Sequence, residues 1–378
     1  MRRIEIGERK DWRSKLQDLG FTFHSVGGTY WNESAAYEFS APEIDHIEEV
    51  TVELHEMCLQ AVQYVMGRNL FARLGIPEDI AVWVRRSWAR QEPSIYGRFD
   101  LSYDGQGEPK LLEYNADTPT SLVESSLAQW TWLEDTFQDF DQFNSIHEKL
   151  TDAFTGVRNG MPLGSMMHFT CVKENEEDFV TTEYLRDVAA QAGLETKHIF
   201  IEDIGWDGTS GGFYDLETQQ IRFLFKLYPW EWLLSDEFGP QVLQGTMQLY
   251  EPAWKIILSN KGILPILWEM FPEHPNLLPS SFDPSHLGRD YVRKPLLSRE
   301  GANISIVEDS NLIAESSGNY GAEGFIYQAS KPLPCFQGRY AVVGSWVVNG
   351  LSAGIGIRED IQPIVQNTSH FVPHYFKP

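Results

Sequence analysis

The 378-residue sequence predicts a mixed α/β fold with largely antiparallel sheets. Three observations carry that expectation. Strand-like runs crowd the last quarter, at DYVRKPLL, ISIVED, GFIYQAS and GRYAVVGSWVVNG. A strand–helix–strand unit precedes them, from about Met166. The regular βα alternation of a doubly wound parallel sheet is missing. With 42% hydrophobic and 13% aromatic residues the chain can bury a large core, which excludes a disordered polymer.

The elements follow in order. MRRIEIGERKDW continues with charges where a secretory signal needs an apolar stretch. No apolar run approaches the roughly 20 residues of a membrane span, so a cytoplasmic chain without a membrane partner is expected. Ser40-Ala-Pro-Glu43 is a capping box, opening an amphipathic helix through about Gly67 on Ile44, Ile47, Leu54, Met57 and Val65. A short helix follows Ile76-Pro-Glu. GRFDLSYDGQGEPKLLEYNAD, Gly97 to Asp117, reads as a hairpin about a turn-rich centre, and SLVESSLAQWTWLEDTF as the next helix. SMMHFTCV, EEDFVTTEYLRDVAAQAGL and ETKHIFIEDI form the strand–helix–strand unit, its helix ended by Gly193. A turn near Asp207-Gly208 leads to a strand at IRFLFKLYPW. PAWKIILSNKGILPILWEMFP reads as helix broken by Pro265, and IGIREDIQPIVQNTSHFVPH as a β-like piece followed by a polar tail.

Cys58, Cys171 and Cys335 are odd in number, far apart and in no CxxC pattern, which argues against a disulfide framework or zinc cluster. The net charge of −24 argues against nucleic acid, whose phosphates would be repelled. It is compatible with a cationic substrate such as a polyamine, and equally with an acidic surface kept for solubility.

The hairpin carries the first chemistry. Side chains two apart on a strand share a face, so Arg98 and Asp100 point one way, as do Glu113 and Asn115. Folding about Gln106–Gly107 sets Asp100 opposite Glu113 and Arg98 opposite Asn115. Three side chains with hard oxygens on one face suit Mg²⁺, with Arg98 beside them for phosphate; a solvated strand face with a surface ion pair fits the pattern as well. The turn at Asp117–Ser121 offers hydroxyls at a helix start, where anions or plain capping are both at home. Lys294 stands in the otherwise apolar VRKPLL, where an unpaired ammonium is costly, so a phosphate or a glutamate should meet it. Lys261 joins it as a candidate cation. SREGAN, residues 298–303, is a glycine-bearing loop whose amides could cover a phosphate chain. Arg358 ends the glycine-spaced GIGIRED, with a salt bridge to Glu359 or Asp360 as the plainer role. Neither GxGxxG nor GxxxxGK[ST] spacing occurs.

Together, YGRFDLSYDG, LLEYNADTPTS, NKGILPILWEMFP, RKPLLSREGANI, IYQ and GIREDIQPIV resemble the synthetase domain of the glutathionylspermidine synthase family, in family order and over nearly the whole chain. The resemblance implies a circularly permuted ATP-grasp fold, glutathione-synthetase-like, and an ATP-dependent joining of a carboxylic acid to an amine. By it, residues 1–165 are the permuted part with the metal hairpin, 166–250 a small α/β substrate domain, and 251–378 the ATP-binding part with its lid. Asp100, Glu113 and Asn115 become ligands of two Mg²⁺ ions. Arg98 faces phosphate, and Arg358 stabilises the transferring phosphoryl group. Lys261, Lys294, Ser298 and Gly301 of the SREGAN lid, and Gln328 near the adenine, become ATP contacts. Thr118, Thr120, Glu177, Asp178 and Arg299 face substrate. Bifunctional members carry an amidase domain, and this chain begins too close to YGRFD to be expected to hold one. Glutathione-using members look threonine-rich where this sequence has Leu227 and Trp232, and carry lysine and aspartate where it has Asn367 and His370. The partners implied are a small-molecule acid, such as a peptide, and an amine, such as a polyamine. A phosphotransferase, or a nucleotide-binding module without turnover, are the other readings of the same residues.

Overall fold

A computed structural model describes residues 1–25, 27–299, 301–366 and 368–377. Glu300 of the SREGAN loop and Asn367 therefore lie outside the described residues. In chain order the elements used below are α1 (Ala41–Arg68), β1 (Tyr96–Ser102), β2 (Lys110–Asn115), α2 (Gln129–Thr136), β3 (Met166–Thr170), α3 (Glu176–Gln191), β4 (Glu195–His198), β5 (Phe223–Lys226), α4 (Trp230–Ser235), β6 (Gln248–Tyr250), α5 (Ile263–Met270), β7 (Tyr291–Pro295), β8 (Ser305–Glu308), β9 (Asn311–Glu315), β10 (Phe325–Ala329), β11 (Arg339–Val348), β12 (Leu351–Asp360), β13 (His370–Val372) and β14 (His374–Lys377).

The central sheet runs β13–β12–β11–β1–β2 with every pairing antiparallel. A second antiparallel sheet, β10–β7–β8–β9, has Ser280–Ser281 paired along its β10 edge. β6, β5, β3 and β4 make a parallel sheet, with α3 as the crossover between β3 and β4. The fold is thus mixed α/β with antiparallel sheets dominating, as the sequence predicts.

α1 begins where the capping box placed it, with Glu43 Oε2 accepting from the Ser40 amide at 2.7 Å, and Asn69 closes it in the left-handed region. Its apolar stripe packs on β11, β12 and α5. Phe99, Leu101, Leu111 and Tyr114 turn to that core from β1 and β2, which leaves the alternate residues facing a cleft.

The structure departs from the sequence reading in three places. Pro265 does not break the helix; it sits in the first turn of α5, where its missing N–H has no partner to lose. The break falls at Asn260–Gly262, where Asn260 Oδ1 accepts from the Gly262 amide at 2.8 Å. ETKHIFIEDI is strand only through His198 and then a 3₁₀ turn at Ile201–Asp203. The presumed polar tail contains β13 and β14, with Phe371, Val372 and Tyr375 buried.

Candidate functional site

β1 and β2 pair in the expected register, Arg98 opposite Asn115 and Asp100 opposite Glu113. Leu101 then pairs with Leu111, so Leu112 is an extra residue, a β-bulge that breaks the ladder beside the carboxylates. On this face Arg98 Nε donates to Asp100 Oδ1 at 2.7 Å and Nη1 to the Thr120 carbonyl at 2.5 Å. Arg358, two strands away on β12, donates from Nη2 to Asp100 Oδ2 at 2.5 Å. Asn115 Nδ2 lies 3.2 Å from Glu113 Oε1 and 3.4 Å from Asp100 Oδ2. Gly344 of β11 faces Asp100 in the ladder, and a Cβ there would stand 2.8 Å from Arg98 Cδ. A glycine is needed for Arg98 to lie flat across the sheet.

Lysines close the other side. Asn260–Gly262 leaves the helix so that Lys261 Nζ meets Glu113 Oε2 and the Ser298 carbonyl, each at 2.9 Å. Lys294 Nζ donates to Gln328 Oε1 and the Leu112 carbonyl, both at 2.7 Å, and Gln328 Nε2 reaches the Leu111 carbonyl at 3.1 Å. The bulge thus supplies the backbone acceptors that dock β7 and β10 on the hairpin. Burial would raise the Glu113 carboxyl, yet the Lys261 and Lys294 charges hold it well below the usual carboxylate range. Burial lowers Lys294 to about 8 against the pull of Glu113. Glu113 is thus an ionised carboxylate paired with Lys261, and Lys294 a buried ammonium whose hydrogen bonds go to neutral oxygens.

These groups line one cavity of about 370 Å³. It brings together Arg98, Asp100, Glu113, Asn115, Thr118, Thr120, Lys294, Arg299, Gly301, Gln328 and Arg358, with apolar walls from Leu278, Val292, Ile306 and Val342. Lys261 and Ser298 stand at its edge through the Glu113 and carbonyl contacts just given. Gly301 has φ +70°, and a Cβ would come 2.8 Å from the Val365 carbonyl, so the loop presses its backbone on the strand-free segment before β13. Arg299 bonds to Thr118 Oγ1 and to Glu231 Oε1 of α4 at 3.2 Å, near the Trp232 ring. Glu177 and Asp178 are not among the lining residues; they form the acidic first turn of α3, where the Asp178 amide donates to the Asn175 cap at 3.1 Å.

Two buried groups escape the sequence reading. Lys226 of β5 is fully buried, its Nζ 2.7 Å from Asp117 Oδ1, while the Trp230 amide donates to Asp117 Oδ2 at 2.9 Å. Asp117 thereby fixes the turn bearing Thr118 and Thr120. Glu124 is equally buried, bonded by Tyr30 Oη at 2.5 Å. The signal was present: each is a charge inside an apolar run, FLFKLY or SLVESSLAQW, as with Lys294.

The donor set fits Mg²⁺ by its chemistry. Among the described residues no group of three His, Cys, Asp or Glu side chains that could hold a metal occurs. Asp100, Glu113 and Asn115 instead offer two carboxylates and an amide, a set sufficient for an ion that keeps water and phosphate oxygens as its other ligands.

The antiparallel sheet carrying this hairpin, with the smaller parallel sheet beside it, is a glutathione-synthetase-like fold. A solved glutathione synthetase-like effector (GSS30) of Globodera pallida superposes with a TM-score of 0.60 over 97% of this chain and 96% of its own, at 11% identity. The chain belongs to the glutathionylspermidine synthase family: the family described as glutathionylspermidine synthase preATP-grasp matches residues 3–377. A Haemophilus influenzae protein named "Putative acid--amine ligase" is 41% identical over 98% of both chains. Trypanothione synthetase of Crithidia fasciculata is 30% identical over 82% of this chain and 51% of its own. The bifunctional glutathionylspermidine synthetase/amidase of Escherichia coli is 28% identical over 96% and 63%.

Proposed function

We propose that the protein is an ATP- and Mg²⁺-dependent ligase that joins a carboxylic acid to an amine through an acyl phosphate. The observation that carries this reading is the convergence of Asp100, Glu113 and Asn115 with Arg98, Arg358, Lys261 and Lys294 about one cavity. The names of the relatives support an amide-forming reaction, and the acidic balance of the chain suits a cationic amine.

A carboxylate and an amine do not condense in water, because hydroxide is a poor leaving group. Transfer of the γ-phosphoryl group to the carboxylate makes a good one. Lys261 and Lys294 would hold the phosphate chain, with Gln328 and the apolar wall beside the base. Asp100, Glu113 and Asn115 would hold Mg²⁺, which when bound supplies charge neutralisation to the phosphoryl oxygens. Arg98 and Arg358 would face the transferring group and the oxyanion formed when the amine attacks. Loop 298–303 would exclude water from the acyl phosphate. Thr118, Thr120 and Arg299 would orient the acid, and Glu177 and Asp178 the amine.

The test incubates the protein with ATP, Mg²⁺ and pooled acids and amines, and reads products by mass spectrometry. An amide with ADP and phosphate is expected. A stable phosphorylated product would instead establish a phosphotransferase.

A further inference from the structure

Glu124 opens a π turn, Glu124–Ala128, that leads into α2. Its Oε1 accepts from Tyr30 Oη, whereas Oε2 is buried with no hydrogen-bond partner among the described residues. A buried carboxylate oxygen without a donor is costly, and it is retained where a group must later be received. The backbone around it is unusual too. π turns are rare and concentrate at functional sites. Ser121, not a glycine, has φ +65°, a conformation that costs about 1–3 kcal/mol.

These departures sit beside the cavity. Tyr30 Oη is also 3.2 Å from Ser121 Oγ, and the neighbouring Thr120 carbonyl is the one that accepts from Arg98. The charged and titratable groups that act on Glu124 are Glu177 of α3, Arg98 of β1 and Tyr30. Burial first, then Glu177, raise its carboxyl to about 8, against the Tyr30 hydroxyl, its own backbone amide and Arg98. Glu124 therefore feels both the arginine that would face phosphate and Glu177 in the acidic first turn of α3.

We propose that Glu124 takes the proton from the amine nucleophile, with Oε2 as the accepting atom. The inference rests on the ligase reading. An amine arrives as an ammonium and must shed two protons to become an amide. The ammonium charge first expels to solvent the proton that Glu124 carries below about pH 8. The carboxylate then takes one proton from the ammonium before attack, freeing the nitrogen lone pair for the acyl carbon, and later returns it to solvent. When the carbon–oxygen bond to phosphate breaks, the leaving trianion takes the second proton and departs as monohydrogen phosphate. A proton acceptor works best when its affinity for the proton matches the working pH.

Oε2 is enclosed without substrate, so the proposal requires that an amine reach it. Infrared difference spectra of wild type against Glu124→Gln isolate the carboxyl band. The band should fade with a midpoint near pH 8, and a panel of primary amines from methylamine to spermidine should include members that move the midpoint down by about 1–3 units. A midpoint below 6, or one unmoved by every amine, overturns the proposal. In turnover, Glu124→Gln should lose about 10²–10⁴-fold with ordinary amines. It should still form hydroxamate from hydroxylamine, which is unprotonated at neutral pH. Equal losses with both nucleophiles overturn the assignment. Wild type that forms no hydroxamate with pooled acids refutes the ligase reading instead, and leaves the amine titration to decide the contact.

Discussion

Asp100 receives two arginines, Arg98 at 2.7 Å and Arg358 at 2.5 Å, so each side chain at this point is set by the others. Replacing Arg358 by Ala should reduce ADP release by about 10²–10³-fold, the usual cost of one preorganised charge. Asp100→Ala should lose the Mg²⁺-supported turnover in the same assay; wild-type turnover in both variants would refute the site. Glu124 makes a separate prediction about stability. Its carboxyl is raised from 4.5 to about 8, so between those values the folded protein holds a proton that the unfolded chain has lost. That stability is fully present below 4.5 and disappears as pH rises through 8. Urea unfolding at pH 5, 7 and 9 should show wild type losing several kcal/mol relative to Glu124→Gln across that window.

At the scale of elements, the hairpin was legible because its period-two alternation and turn fix one register, and a one-residue slip would turn Arg98 toward the apolar core and Phe99 toward the cleft. The bulge at Leu112 was not, since the groups it serves, Lys294 and Gln328, lie 182 and 217 residues beyond the Leu112 and Leu111 carbonyls they meet. The strands of the carboxyl terminus were missed for the same reason: β14 completes a pairing with Ala35–Ser40, near the other end of the chain. Lys226→Met should leave the buried Asp117 carboxylate with only the more distant Arg299 cation, 3.9 Å away, costing about 3–5 kcal/mol in denaturant unfolding. Lys226→Met combined with Asp117→Asn should recover part of that loss. Gly344→Ala places a methyl against Arg98 Cδ and should depress turnover more than it depresses the unfolding midpoint, as measured on one preparation.

For the whole molecule, the sheets bring residues 98 to 358 around one cavity, and sequence motifs named these residues without saying which would touch. The motifs mark the cations, but not that Asp100 and Glu113 each already hold one in this structure. Lys261 occupies Glu113, while Arg98 and Arg358 occupy Asp100. Under the proposed function, metal alone must dislodge cations that then have no anion to meet, and nucleotide alone finds its cations engaged. Thermal unfolding should therefore respond weakly to Mg²⁺ or ATP separately and strongly to both, approaching the roughly 2.7 kcal/mol of a ligand at 100-fold its Kd. On that reading the cavity would be a coincidence detector: it would stay latched on a single signal, and the two together would release the arginines and lysines in one exchange of counter-ions.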